Sequence, residues 1–516
     1  MKKKRVLIAG LIAAVAVLSA CSSGGNGNAS GNGGSANGNG AAQTPGTGTA
    51  KEAETYRAVM AIPSFQTEPR DMQLVEDEIN KIMKEKINAT VDIVPIAFGN
   101  WVQQTNLMLS SGEKLDLFVT ANSMGYASQA VTGKIAPLDE LLAGPGRGIA
   151  DQLGEKYLNA AKIEGQVYGV PSLRDLAASY DYVMRKDLVD KYQIDLSSVR
   201  TLDDVEKVLQ TIKENEPGIT PIVPGGSGSG GMLIGYNKHD QLGDSYGVLM
   251  DPDVLTVTNY YESPEYEALL KKMHDWYKKG YILRDAATNQ VVANQLVKAG
   301  KAFSYLGNSK PGFAVQESRA AGMEMVAVEL AGPVATTGNV TSLMWSIAQS
   351  SENKEKAMEI LNLFYTDKDI VNLINWGIEG KHYQKVEGDI IDFAPGVDAT
   401  NSDYLPNWEW MTGNAYLSYI YKGGDPEVWN KTKAFNESAV ASKALGFTFN
   451  VEPVKTEYTA ITNVVNQFKV GLESGTLDPD KVLPEFNDKL KAAGIDKVIA
   501  EKQRQLDEWA QLNNIQ

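Results

Sequence analysis

Two segments of the chain contain serines and glycines at spacings that could support chemistry. The segment Gly243-Asp-Ser245-Tyr-Gly247 matches the G-x-S-x-G pattern that presents the nucleophile of many hydrolases. That pattern requires a buried strand before the serine, whereas residues 236–241 are polar. The glycine-rich residues 225–231 lack the Gly-Lys-Ser/Thr ending of a phosphate-binding loop. Both segments are therefore predicted to be loops without a catalytic role.

Other reactive groups are scarce. The 516 residues include 1 Cys and 3 His, and His239, His274 and His382 lack the spacing of a metal site. A single Cys excludes an intramolecular disulfide framework. The 49 Lys and Arg against 64 Asp and Glu give a net charge of −15, which disfavours nucleic acid as a partner. The many carboxylates leave a glycosidase pair open, but no spacing marks one. We expect no catalytic residue, metal or cofactor.

Side chains that could bind a sugar are more numerous than these reactive groups. An indole face packs on the apolar C–H face of a sugar, while carboxylate, amide and guanidinium groups bind its hydroxyls. Each tryptophan could instead pack in the hydrophobic core, where most large aromatic side chains lie. Trp408 and Trp410 would share a face on an extended segment, and His382 is predicted to be a hydrogen-bonded structural residue. The candidate ligand-binding residues are Trp101, Asn122, Arg174, Asp175, Tyr180, Trp345, Trp376, Glu379 and Trp408.

The elements that would position these residues begin as β-α-β-α-β. Strands are predicted at residues 57–62, 90–95 and 115–120, with helices between them, and this order indicates a parallel sheet. Ligands at such sheets bind beyond the carboxyl ends of the strands. The loops at residues 63–66, 98–101 and 121–124 are therefore expected to border the site. Further helices are predicted from residue 201, over residues 351–366, 367–376 and 458–472, and at the end of the chain.

The N-terminus predicts export and lipid attachment. Lys2, Lys3, Lys4 and Arg5 precede 13 apolar residues, a run shorter than the about 20 residues of a membrane-spanning helix. The order is typical of a secretory signal peptide, here residues 1–20. Leu18-Ser-Ala-Cys21 resembles the bacterial lipobox, whose Cys is lipid-modified and becomes N-terminal after cleavage. Residues 21–54 are then a lipidated Cys and a flexible Gly/Asn/Ser tether. This places the protein on the extracellular face of the cell membrane, held by lipid.

Several short sequence segments of the remaining chain, taken in their order, resemble one family. They are Trp101 to Phe118, which contains Asn-Leu-Met-Leu-Ser-Ser-Gly-Glu, then Gly133-Lys-Ile-Ala-Pro-Leu-Asp-Glu-Leu141, Gly165-Gln-Val-Tyr-Gly-Val-Pro171, Met184-Arg-Lys-Asp-Leu188 and Trp345-Ser-Ile-Ala348. They are similar to segments of the extracellular solute-binding proteins of sugar-type ABC importers. Residues 377–383 and the tail at 447–509 resemble a Gram-positive lipoprotein branch of that family with its own C-terminal domain.

The resemblance implies an α/β fold of the periplasmic-binding-protein type, with two lobes, a hinge and an inter-lobe cleft. Lobe 1 would comprise residues 55–176 and 346–405, and lobe 2 residues 177–345 and 406–516, with hinges in strands near 178–184 and 342–348. It implies a monomer that captures a carbohydrate, an oligosaccharide above all, and delivers it to the permease subunits of an ABC importer without catalysis. A lipid-anchored polysaccharide-processing enzyme, or a member of the same fold that binds a peptide or an acidic sugar, remains the alternative.

Overall fold

The computed structural model describes residues 54–64, 68–225 and 239–515. The predictions for Cys21, the signal peptide and the tether, and for most of the glycine-rich segment, lie outside the described residues. The described part consists of many short strands and helices of one to five turns. No helix in it is both long and apolar enough to cross a bilayer.

The strands provide the frame of the molecule. Their bounds are β1 (Tyr56–Ser64), β2 (Ala89–Ala97), β3 (Leu117–Thr120), β4 (Lys162–Ile163), β5 (Gln166–Val167), β6 (Val170–Pro171), β7 (Ala178–Arg185), β8 (Thr220–Val223), β9 (Val248–Leu249), β10 (Val257–Thr258), β11 (Ala302–Ser309), β12 (Met325–Ala335), β13 (Met344–Ile347), β14 (Tyr383–Glu387), β15 (Ile390–Phe393), β16 (Ile420–Tyr421) and β17 (Val440–Ala441).

The helices cover the sheets. Their bounds are α1 (Met72–Ile87), α2 (Trp101–Ser111), α3 (Tyr126–Val131), α4 (Asp139–Ala143), α5 (Arg147–Asn159), α6 (Lys186–Lys191), α7 (Leu202–Asn215), α8 (Pro264–Lys279), α9 (Ala293–Lys298), α10 (Phe313–Ala321), α11 (Thr337–Val340), α12 (Lys354–Thr366), α13 (Lys368–Trp376), α14 (Val428–Ser438), α15 (Lys455–Glu473), α16 (Pro479–Ala493) and α17 (Ile495–Leu512).

The first sheet has the order β2-β1-β3-β13-β6. β1 is parallel to β2 and β3, as the predicted β-α-β-α-β order requires, and β13 returns antiparallel to β3. α1 packs on the sheet through Val75, Ile79 and Met83, the apolar face that its 3–4 spacing predicts. These residues belong to a core that also includes residues from 340–374 and 404–411. The first lobe therefore includes Trp408 and Met411, beyond the predicted boundary at residue 405.

The second sheet has the order β17-β12-β7-β11-β8 and supports a second core. α7 begins with the predicted capping box, in which the Thr201 hydroxyl accepts from the Asp204 amide and the Asp204 carboxylate accepts from the Thr201 amide. The C-terminal helix α15 contributes its predicted face, including Ile461, Val465 and Phe468, to the same core. The C-terminal helices thus pack as part of the second lobe.

The chain crosses between the two cores at three places within the described residues. β7 and β13, the strands predicted to form the hinges, each lie within one sheet because their backbone groups are paired along the strand. The crossings instead involve residues 173–178, 335–340 and 439–454. Ala177, Ala335 and Ala439, one from each crossing, pack together and are 3%, 0% and 9% exposed. Small side chains allow the three crossing segments to lie close together.

Candidate ligand-binding cleft

Two adjoining cavities lie where the crossings meet the lobes. The larger has a volume of about 780 Å3, and the smaller, of about 310 Å3, shares four of its lining residues. Residues beside the first crossing and from the segments around residues 376, 407–410 and 419–432 form one wall, and α10 with the three residues before it forms the facing wall. The main lining residues of the larger cavity are Arg174, Asp175, Lys310, Gln316, Arg319, Trp376, Asn407, Glu409, Trp410, Tyr419, Tyr421, Asp425 and Trp429.

Aromatic rings form much of the larger cavity. The Trp376 ring meets the Tyr421 ring edge to face, with centroids 5.0 Å apart. The indole N–H of Trp376 donates to the Ser418 hydroxyl at 3.0 Å, and the indole N–H of Trp429 donates to the Ser418 carbonyl at 2.9 Å. Because their polar edges are already bonded within the protein, these rings present apolar surface to a ligand.

A carboxylate between two cations links the lobes. The Arg174 guanidinium donates to both oxygens of Asp175, at 3.0 and 2.8 Å, and lies over the Trp410 ring with its Cζ 5.9 Å from the centroid. The ammonium of Lys310, which follows β11 of the second sheet, lies 3.2 Å from Asp175 Oδ1. Burial acts to raise the pKa of Asp175, but the two cations outweigh it and lower that pKa. Asp175 is therefore ionised at neutral pH and draws the two walls together.

The backbone of the first crossing is fixed by α14. Asn436 donates from its amide nitrogen to the Arg174 carbonyl at 2.6 Å and accepts at its amide oxygen from the Leu176 N–H at 2.8 Å. The Tyr416 hydroxyl also donates to the Arg174 carbonyl, at 3.3 Å. These bonds hold both sides of the Arg174–Asp175 pair, so its side chains enter the cavity from a defined backbone.

A turn separates the two neighbouring tryptophans that were expected to share a face. Asn407 has φ +58°, and the following residues turn rather than extend. Trp408 is fully buried and its indole N–H donates to the Pro63 carbonyl at 3.2 Å. Trp410 is half-buried in the cavity wall, and its indole N–H donates to the Asn407 carbonyl at 2.9 Å. The Trp408 ring therefore packs in the core, whereas the Trp410 ring lines the cavity.

Three of the predicted site residues line the larger cavity: Arg174, Asp175 and Trp376. The structure places Trp101, Trp345 and Trp408 in the first core instead, where they are 1%, 2% and 0% exposed. Tyr180 lies in the middle sheet strand β7 and is buried in the second core. Large rings on the inner faces of elements gain more from burial than from a place at the cavity.

The other polar candidates lie outside both cavities. Asn122 follows β3, as predicted, and its backbone N–H donates to the Thr341 carbonyl at 3.3 Å. Glu379 is exposed and lies 3.4 Å from the Lys385 ammonium. His382 is buried, accepts at Nδ1 from the Ile378 N–H at 2.8 Å, and its Nε2 lies 2.9 Å from the Asp71 carboxylate. These bonds give it the structural role that the sequence predicted.

The residues missed from sequence are mainly in one stretch. Trp410 was weighed only beside Trp408, and Glu409, Tyr419, Tyr421 and Trp429 were not considered as site residues. A signal was present, because three Trp and three Tyr fall between residues 408 and 429. Lys310 and Arg319 belong to the second lobe, and only the fold brings them opposite this stretch.

The hydrolase-like motif has no catalytic surroundings. Ser245 lies in a loop that leads directly to β9, so the strand-turn-helix arrangement of a nucleophile elbow is missing at this place. The described residues also contain no group of three or more His, Cys, Asp or Glu placed to hold a metal ion. The arrangement in the larger cavity, by contrast, suits binding, since it combines ring faces with charged and amide groups.

Comparison with known proteins gives the same picture. Two lobes, each built on a mixed sheet and joined by several crossings beside a cavity, define the solute-binding class of two-lobed α/β proteins. Residues 66–370 match the family model of the bacterial extracellular solute-binding proteins, and residues 443–511 match a domain of unknown function, DUF3502. The chain belongs to the bacterial extracellular solute-binding protein family, and the fold class predicted from sequence is confirmed.

Individual relatives agree with this assignment. A carbohydrate ABC transporter substrate-binding protein of Streptococcus pneumoniae is 31% identical over 485 residues, which cover 90% of this chain and 94% of the relative. The crystal structure of an N-glycan transport solute-binding protein, NgtS, from the same species superposes with a TM-score of 0.79 at 29% identity, covering 88% of this chain and 99% of that one. The polygalacturonan/rhamnogalacturonan-binding protein YtcQ of Bacillus subtilis is 24% identical over 249 residues, 44% of this chain and 47% of YtcQ.

Proposed function

We propose that the protein is the lipid-anchored substrate-binding component of an ABC importer and captures an oligosaccharide between its lobes. The observation that carries this proposal is the 780 Å3 cavity, in which aromatic faces stand beside carboxylate, guanidinium and amide groups. Its size suits several sugar rings, and its composition matches the two faces of a sugar. The ligand-binding residues of this proposal are Arg174, Asp175, Lys310, Trp376, Glu409, Trp410, Tyr419, Tyr421 and Trp429.

Ligand capture would proceed by movement of the lobes about the three crossings. The alanine contacts at the crossings leave little side-chain bulk to resist a rotation. A ligand that contacts both walls shifts the population toward the closed form by its greater affinity for that form.

The alternatives identified from sequence have less support. An enzyme would need a positioned nucleophile or an acid–base pair, and the Ser245 loop provides neither. A peptide ligand would be held through edge strands or a charged end pocket, whereas the cavity is lined by ring faces on several separate segments. We therefore expect binding without turnover, by a monomer.

The proposal predicts stabilisation by glycans. Man5GlcNAc, the glycan bound in one NgtS structure, is a suitable first probe within a panel of neutral and acidic oligosaccharides and peptides. A ligand bound by the native state alone stabilises it by RT ln(1 + [L]/Kd), about 2.7 kcal/mol at a hundred times Kd. Differential scanning fluorimetry should show a rise in Tm with a glycan and a simultaneous change in tryptophan emission. A response to peptides alone would refute carbohydrate capture, and release of shortened glycan would indicate an enzyme.

The anchor rests on Cys21, which is the single Cys of the chain. Two or more acyl chains hold a protein firmly at a membrane, so Cys21→Ala should release the protein or leave it unprocessed. Cell fractionation with labelled fatty acid measures both effects, and Ser22→Ala is the matched control that should remain anchored. Undiminished lipid labelling and membrane retention of the Cys21→Ala variant would contradict this prediction.

A further inference from the structure

We propose that Glu409 selects for an uncharged sugar: its carboxylate accepts hydrogen bonds from vicinal hydroxyls or an acetamido N–H of a sugar ring that stacks on Trp410. This inference rests on the proposed function, because it assigns a role within the same cleft. It adds the chemical class of the ligand, a neutral glycan, and the residue that excludes acidic ones.

The first observation is the position of the Glu409 side chain. It lines the larger cavity, is half-buried, and follows Trp408 of the core and precedes Trp410 of the cavity wall. The turn that begins at Asn407 thus brings a carboxylate and an aromatic ring, on consecutive residues, into the lining of the same cavity. A sugar ring stacked on the face of Trp410 would bring its equatorial hydroxyl edge toward the carboxylate, which can accept two hydrogen bonds at once.

The second observation is that the other carboxylates of the cavity are paired with cations, whereas the carboxylate of Glu409 is not. Asp175 accepts from Arg174 and lies beside Lys310, and Asp425 is paired with Lys431. The carboxylate of Glu409 has neither a hydrogen bond nor an ion pair to any residue that the structure describes. A desolvated carboxylate without donors is costly, and the hydroxyl or amide donors of a ligand would offset that cost.

The third observation is the balance of charge along the larger cavity. Its lining carries three cations, Arg174, Lys310 and Arg319, and three anions, Asp175, Glu409 and Asp425. The formal sum is zero, so an acidic glycan finds no excess of positive charge, and a carboxylate placed beside Glu409 would be repelled. Removing the charge of Glu409 leaves an excess of one positive charge at the same place.

The acid–base properties of the lining allow this role to be followed by pH. Burial raises the pKa of Glu409, while Lys310 and Arg319 oppose that rise in part. The pKa values of the neighbouring acids are lowered instead: Arg174 and Lys310 lower the pKa of Asp175, and Lys431 lowers that of Asp425. Burial raises the pKa of Tyr421 to about 12, and none of the residues lining this cavity is His. Among the acids for which these shifts are found, Glu409 is thus the one whose pKa is raised.

Isothermal titration calorimetry on the purified protein tests the proposal with Man5GlcNAc as the neutral probe and trigalacturonic acid as the acidic one. Wild-type protein should bind the neutral glycan at least about tenfold more tightly, and Glu409→Gln should weaken that binding by about tenfold or more, as expected for loss of charge-assisted hydrogen bonds. The same variant should bind trigalacturonic acid more tightly than wild type does. Glu437→Gln, an exposed carboxylate on α14, is the matched control and should behave as wild type.

The pH profile separates a ligand contact from a structural role. Lowering the pH through the raised pKa protonates Glu409, so wild-type affinity for Man5GlcNAc should fall as the pH is lowered, and this fall should be absent from Glu409→Gln. Unchanged affinity, selectivity and pH profile in Glu409→Gln would overturn the inference while the proposed function stands. So would tighter wild-type binding of trigalacturonic acid. Equal losses in Glu409→Gln and Arg319→Gln without a change of selectivity would assign Glu409 to an ion pair between the walls. Wild-type binding of neither glycan would overturn the proposed function and this inference together.

Discussion

Replacing Trp345 by alanine is expected to destabilise the first lobe by about 3–5 kcal/mol, the range for removing a large aromatic side chain from a core. Trp345 is 2% exposed in β13, an interior strand of the first sheet, where it pairs with Val119 and Val170. Its ring is stacked parallel to Phe364 of α12, with centroids 6.5 Å apart, and its indole N–H donates to the Met411 carbonyl at 2.7 Å. The substitution removes the packing between sheet and helix and one buried hydrogen bond.

Urea denaturation of the purified protein, followed by far-UV circular dichroism, measures this loss. Trp345→Phe is the matched control, because it keeps a ring against Phe364 and loses only the hydrogen bond and part of the volume. We expect it to cost about 1 kcal/mol for the hydrogen bond, plus a smaller packing loss. If Trp345→Ala unfolded like wild type and instead lost glycan affinity, the ring would belong to the binding site and its core placement would be incorrect.

The backbone elements were largely predictable because their signals are local. The apolar spacing of α1, α12, α13 and α15 and the capping box of α7 each depend on residues a few positions apart. The order of strands and helices at the start of the body then implies a parallel sheet, and β1, β2 and β3 form one. Physical reasoning from such patterns requires no knowledge of how distant segments meet.

The cleft was less predictable because it depends on distant segments. Trp345, Trp376 and Trp410 have the same side chain, and their sequence neighbours do not reveal which of them faces solvent. Trp376 reaches the cavity because α13 ends there at Gly377, and Trp410 because a turn with positive φ at Asn407 rotates it away from Trp408. Lys310 faces Asp175 only through the pairing of β11 with β7. The polar pair Arg174 and Asp175 was found because it lies just before the first predicted hinge.

The same dependence on distant segments explains why the hinges were predicted in the strands rather than in the crossings. A strand that is fully paired within one sheet cannot bend without breaking its ladder, so β7 and β13 are poor hinges even though the chain changes lobe beside them. Sequence patterns indicate where strands lie but not to which sheet they are joined, and the third crossing, near Ala439, had no local signal at all.

Replacing Trp410 by alanine is expected to weaken oligosaccharide binding by about 2 kcal/mol, or roughly thirtyfold, with little loss of stability. Unlike Trp345, Trp410 is only half-buried and lies in the cavity wall, beneath the Arg174 guanidinium. Its ring supplies a flat apolar surface for a sugar and also holds Arg174 over it, so alanine removes a stacking partner and frees the guanidinium. Calorimetry with Man5GlcNAc measures the affinity, and Tm without glycan reports stability.

Two variants make this prediction specific. Trp410→Phe keeps a ring but loses indole area and the hydrogen bond to the Asn407 carbonyl, so its affinity should lie between those of wild type and Trp410→Ala. Trp408→Ala, two residues earlier, should instead lower Tm strongly, since Trp408 is fully buried in the first core. The contrast follows from the turn at Asn407, which directs one ring to the core and the other to the cavity. Two outcomes would contradict this prediction. If Trp410→Ala bound Man5GlcNAc as tightly as wild type, the sugar would have to stack elsewhere, and Trp376 with Tyr421 would be the next pair to alter. If Trp410→Ala and Trp408→Ala lost stability equally, the turn would not separate core from cleft, and the assignment of this wall to ligand binding would fail.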